Sequence, residues 1–220
     1  MSEGIPWIGA YSRTHAGGVP GMRGHISLTA ARGIGAEEFL MALCADLAQL
    51  EDGLPYKDWR TLSADGGTVS AHANWAMYGV HGEWVYVLED WGMATWYTSF
   101  RKVEGVAPYP DEEVLCLTMN SHCPPSLLVH APGDGDDRRA EFGETTGSGS
   151  ALDEALQAAG AVLPPRPDAL DETAVARYEA ESEALPRAVF AAVGSYTGLV
   201  IDQGAVEAGD LPLAVLPGVT

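Results

Sequence analysis

Positive charge is what this chain has least of. Twelve Lys or Arg stand against 31 Asp or Glu in 220 residues, for a formal net charge of −19, and only Lys57 and Lys102 are lysines. Phosphate backbones are bound by cationic side chains that release counterions, so this composition argues against nucleic acid as a ligand. Anionic membrane surfaces are disfavoured on the same ground. Cysteine is also scarce. Cys44, Cys116 and Cys123 make an odd number, with no Cys-x-x-Cys spacing. The chain begins Met-Ser-Glu-Gly, without a basic n-region or an apolar h-region. Together these features predict a cytoplasmic protein with reduced thiols. No apolar run approaches the roughly 18 residues that a membrane span needs.

What is present is enough apolar material for a core. Hydrophobic residues make up 46% of the chain, which removes disorder as the default reading. The acid is unevenly spread: Glu104 to Ala184 holds 17 Asp or Glu against four Arg and no Lys. Such acidity permits a basic protein partner, a bound cation, or solubility alone.

Period and punctuation divide the chain. Ile26, Leu28 and Ala30 alternate with Ser27 and Thr29, as in a strand. Ala36 to Leu50 carries Phe39, Leu40, Leu43, Cys44, Leu47 and Leu50 on one face and predicts a single helix, with Cys44 as a small core residue. Val114–Met119, Leu127–Val129 and Arg138–Phe142 predict a meander, with Pro132-Gly133-Asp134-Gly135 as its second turn. Ser150 followed by Asp153 predicts a helix N-terminus, with Gly160 closing that helix. A last helical region spans about Asp168 to Val193, and Pro186 should kink it or start a second helix. Tyr196 to Thr220 is expected to lie back on the body in short extended pieces. The pattern predicts an α+β fold: a mostly antiparallel sheet of about five to six strands, packed by an early helix and C-terminal helices. Residues 1–160 form the expected core domain, and 161–220 a Pro-rich link and helical extension packed on it.

Thr68 to Val103 holds four of the six tryptophans: Trp75, Trp84, Trp91 and Trp96. Val69 to Met77 alternates as a strand, Gly79-Val80-His81-Gly82 reads as a turn, and Trp84 to Leu88 as the return strand. Met93, Trp96, Tyr97 and Phe100 then follow a helical period. The stretch is first a core-forming β-β-α unit. Trp91, at the Gly92 break, is the aromatic most available for a partner.

The opening Trp7-Ile8-Gly9-Ala10-Tyr11 resembles the start of an uncharacterised bacterial family found in high-GC actinobacteria. The order that follows is also similar. A leucine-rich helix comes after Glu37-Glu38, then the Gly82-to-Glu89 strand, the Trp91-Gly92 break, a Gly133-Asp134-Gly135 turn and a Thr197-Gly198-Leu199-Val200-Ile201 tail. The resemblance covers most of the chain and implies one integrated domain. It brings no activity and no catalytic residues.

Several clusters have the right residue types for chemistry. His122-Cys123, with Cys116 and His130, offers zinc-type ligands or a Cys–His pair, but the spacing fits no short zinc motif and the acidic surroundings do not favour a thiolate. Asp134, Asp136 and Asp137 have the oxygen-rich character of a calcium loop without its full repeat. Arg13 and His15 form a polar cluster beside the Trp7/Tyr11 anchor, where Arg13 has the geometry to bind a carboxylate or phosphate. No phosphate loop or nucleophile elbow occurs. No cofactor is expected and no catalytic set is recognised. The leading expectation is a non-enzymatic acidic binding protein of the immunity or inhibitor type with a basic protein partner, its candidate contact residues being Arg13, His15, Trp91, Asp134, Asp136 and Asp137. The alternatives are a small-molecule binder or enzyme with a pocket near Arg13, His15, Trp75 and Trp84, and a structural component of a larger assembly.

Overall fold

Two β-rich runs separated by Gly82-Glu83 pair across a tight turn and seed the sheet. A computed structural model describes residues 4–10, 19–59, 73–92, 94–98, 111–119 and 126–217. Their elements run α1 (Pro6–Ala10), β1 (Ser27–Arg32), α2 (Ala36–Ala42), α3 (Leu47–Asp52), β2 (Asn74–His81), β3 (Trp84–Glu89), α4 (Thr95–Thr98), β4 (Glu113–Thr118), β5 (Leu127–Ala131), β6 (Arg138–Glu141), α5 (Ala151–Ala158), α6 (Glu172–Thr197), α7 (Gln203–Ala208) and β7 (Leu213–Leu216). The strands form one sheet of order β6-β5-β4-β1-β3-β2-β7, antiparallel at every pairing. The fold is α+β as the pattern predicts. The sheet has seven strands rather than five to six. The seventh is β7, four residues between Pro212 and Pro217 that pair with β2 from Asn74↔Leu216 to Met77↔Leu213. Its brevity hid it among the extended pieces expected at the C-terminus.

Both faces of the sheet are covered, and so β3 is buried at all six positions. On one face Leu28, Tyr86, Leu88, Leu115 and Leu117 share a core with Ile5, Ile8 of α1, Leu152 and Leu156 of α5, Val189, Phe190 and Val193 of α6, and Val206 of α7. This is the α6 face. On the other, the α2 face, Ala31, Val85, Val87, Val114, Cys116 and Val129 meet Phe39 and Leu40 of α2, its C-cap Leu43, and Trp96 of α4. Each fully buried Leu, Ile, Val or Phe contributes about 1.5–3 kcal/mol, so these two layers dominate the stability of the fold.

Three expected elements take a different form. The helix of Ala36 to Leu50 is two helices. Cys44 adopts a left-handed φ of 59°, is exposed, and closes α2 with its N–H on the Met41 carbonyl at 2.8 Å. Asp46 then caps α3, accepting from the Ala48 N–H at 3.1 Å, while its own N–H donates to the β7 residue Val215 at 2.9 Å. A side-chain cap and a sheet contact at one residue outweigh helix continuation. The hairpin is displaced: Gly79, Val80 and His81 are strand residues, and the turn is Gly82-Glu83 with φ of 60° at Gly82. Gly79 serves packing, since a Cβ there would come 2.4 Å from the Tyr86 hydroxyl on the facing strand. The helix read from Met93 is described only over Thr95–Thr98; Met93 and Phe100, like Val69 to His72, lie outside the described residues.

The Ser150 signal is present in extended form. Ser150 Oγ accepts from the Asp153 N–H at 3.4 Å. Asp153, itself buried, accepts from the Thr146 N–H at 2.7 Å, the Thr146 hydroxyl at 2.9 Å, the Gly149 N–H at 2.8 Å and the Ser148 hydroxyl at 3.3 Å. Burial works against its charge, yet these donors hold the carboxyl below its ordinary range. Thus one aspartate organises the whole Gly/Ser/Thr loop. α6 runs unbroken through Pro186, where Gly9 of α1 sits so close that a Cβ would lie 2.3 Å from the Pro186 carbonyl oxygen.

Candidate functional site

Two strand carboxylates are buried, one on each face. Glu113 is the first residue of β4, opposite Arg32 on β1, and faces α6. Its carboxylate receives three donors. Arg32 forms an ion pair with Oε2, while His130 Nε2 at 2.9 Å and the Tyr196 hydroxyl of α6 at 2.6 Å meet Oε1. Arg32 also lies over the Trp84 ring, 5.1 Å from its centroid. Burial opposes the charge, but the hydrogen bonds from His130 and Tyr196 and the charge of Arg32 hold the Glu113 carboxyl below its ordinary range. The Tyr196 phenol is pushed up to about 12 by burial, by its hydrogen bond to Glu113 and by the adjacent carboxylate. His130 Nδ1 is buried and has no hydrogen-bond partner among the described residues.

Glu89 ends β3 on the α2 face, opposite Ser27. It accepts from the Thr95 N–H at 2.7 Å, from the Thr95 hydroxyl at 2.7 Å and from the Asn74 amide. All three donors are neutral. Burial dominates, and the carboxyl is raised to about 7 despite them. The Thr95 N–H begins α4, so Glu89 pins that helix to the sheet. Cys116 stands on the same face, its thiol pushed up to about 12 by burial, with the Thr29 hydroxyl at 3.6 Å.

Neither cluster is arranged for attack on a substrate. A carboxylate that orients a histidine is half of a general-base device, but the other half is an imidazole nitrogen open to a substrate. Here that nitrogen, His130 Nδ1, is sealed in the core. Glu89 is 1% exposed and has no route to a ligand. Both act as pins between sheet and helix.

The expected site residues separate. Arg13 and His15 lie outside the described residues, as do His122, Cys123 and the side chain of Trp91. Trp75 and Trp84 are not neighbours. Trp84 opens β3 beside the turn, while Trp75 lies near the far end of β2 and packs on Trp59 at 5.2 Å between centroids. The hairpin holds them roughly 20 Å apart, at about 3.3 Å per residue. Cys116 and His130 point to opposite faces of neighbouring strands, so they cannot share a metal or form a catalytic pair. The Asp134–Asp137 turn pairs with its own strand: Asp134 with Arg138 at 2.5 Å and Asp137 with Arg139 at 2.6 Å. No group of three or more His, Cys, Asp or Glu able to hold a metal occurs among the described residues. No helix among them is long and apolar enough to cross a membrane.

The exposed acid collects elsewhere. From Glu172 to Ala184 α6 contains no buried residue; its first is Leu185. Glu172, Ala176, Glu179 and Glu183 fall at helical spacing and are all exposed, forming one stripe. Leu170, just before the helix, is 91% exposed. Asp171 caps the helix, accepting from the Ala174 N–H at 3.0 Å. Val175 and Tyr178, the large apolar residues of this half, are only half-buried. No family model, no curated protein and no solved structure matches this chain.

Proposed function

We propose that this protein is a non-enzymatic binding protein of the immunity or inhibitor type, and that the first half of α6 docks a basic protein. The supporting observation is a half-helix of thirteen residues that fully buries none of its side chains and presents a stripe of carboxylates after an exposed leucine. A helix of that length is marginal alone in water. It is held by continuity with the buried half that begins at Leu185. Acidic stripes on rigid elements steer basic partners and fix register, and an apolar residue beside them supplies desolvated contact.

The reading is tested by immobilising the full chain and capturing proteins from the native host at low and high salt, beside a Glu172→Lys, Glu179→Lys, Glu183→Lys variant. A basic protein held by the parent, released by salt and lost from the variant supports it. Equal retention by parent and variant contradicts it.

A further inference from the structure

We infer that the α2 face carries a binding site for a small organic cation with an apolar body, such as an arylalkyl ammonium. A concavity of about 350 Å³ lies where three elements meet. Ala36, Glu37 and Leu40 come from α2, Leu50 and Glu51 from α3, and Tyr78 from β2. That size falls at the small end of ligand pockets, enough for one ring and a short chain and too little for a nucleotide. The break at Cys44 is what gives α2 and α3 separate axes, so one wall of the site comes from each.

The lining has one chemical character. Leu40, Leu50, Ala36 and the Tyr78 ring are apolar surface, and among the described lining residues the charges are the exposed Glu37 and Glu51 carboxylates. Neither carboxylate, nor the Tyr78 hydroxyl, has a hydrogen-bond or ion-pair partner among the described residues. Val80, two residues along the same strand face from Tyr78, is 62% exposed. An anion would meet two like charges here. A neutral apolar molecule would gain nothing from the two carboxylates, which stand exposed to water. An ammonium head between the carboxylates, with its body against Leu40, Leu50 and the ring of Tyr78, answers every group, and the ring face adds a cation–π contact. The site is on the opposite side of the sheet from α6 and does not rest on the reading of that helix.

Because the whole protein is acidic, diffuse attraction must be separated from recognition. Backbone amide shifts of the full chain at physiological ionic strength would be followed with three probes: 2-phenylethylammonium, methylammonium and 2-phenylethanol. The first should saturate with shifts at Ala36, Leu40, Leu50 and Tyr78, and bind about tenfold or more tighter than either of the others, which carry only the charge or only the body. Glu37→Gln with Glu51→Gln should bring the amine down to the alcohol's affinity. Ala36→Trp should fill the space and abolish both, with melting temperature as its folding control; if it fails to fold, the double glutamine variant decides. Equal binding of methylammonium and 2-phenylethylammonium, equal binding of the alcohol, or shifts centred elsewhere would overturn the site.

Discussion

Glu89 and Glu113 make a natural pair. Both sit on central strands, 1% and 6% exposed, at opposite ends of β1 and on opposite faces of the sheet. Burial pushes both carboxyls upward. Glu89 meets only neutral donors and is raised to about 7. Glu113 meets Arg32, His130 and Tyr196 and ends below its ordinary range. Hydrogen bonds lessen the cost of a buried carboxylate in both, but only the cluster that includes a cation reverses it. The two therefore titrate with opposite consequences. Glu113 contributes stability that is present above the unfolded carboxyl value and lost as pH falls. Glu89 holds its proton more tightly when folded, so stability declines as pH rises from about 4.5 to about 7.

The largest effect should come from breaking the charged cluster. Glu113→Ala leaves His130 and the Tyr196 hydroxyl without their shared acceptor and frees Arg32, which is half-exposed and can turn to solvent. A loss of about 3 kcal/mol in urea unfolding is expected, the low end for breaking a buried pair. A loss below about 1 kcal/mol would mean that the cluster does not pin α6 to the sheet. Tyr196→Phe removes one hydrogen bond to a charged group and keeps the rest. It should cost about 2 kcal/mol and move the acid-side loss of stability to higher pH, because Glu113 loses a donor that favours its charged form. An unchanged acid limb would show that Tyr196 packs there without tuning Glu113.

Much of the fold could be read from residue order, because apolar period sets which face is buried. The meander and the hairpin strands were legible on that basis, and the Ser150 cap from its own Ser-to-Asp spacing. β7 was not, since four residues between prolines show too little alternation. The break at Cys44 was hidden because Leu43 and Leu50 keep a helical period across it; Asp46, a side-chain cap in mid-pattern, was the available signal. The buried carboxylates could have been suspected. Glu89 shares the parity of Val85 and Val87, and Glu113 that of Leu115 and Leu117. Which partners surround Glu113 depends on β5 and α6 arriving from 17 and 83 residues away, and no local pattern records that. The α2–α3 concavity depends on the same kind of long-range arrangement, with Tyr78 supplied from a distant strand.

The central claim is that partner charge, rather than depth, decides what a buried carboxylate does to this fold. It is tested most directly by the unfolding free energy of the parent and Glu89→Gln across about pH 4.5 to 8. The parent should lose roughly 3 kcal/mol relative to the variant over that range, because a rise of about two and a half units corresponds to that much differential binding of the proton. The difference between the two curves should level off above about pH 7. Parallel curves would contradict the account, since they would mean that Glu89 carries no more cost of charge in the folded protein than in the unfolded chain.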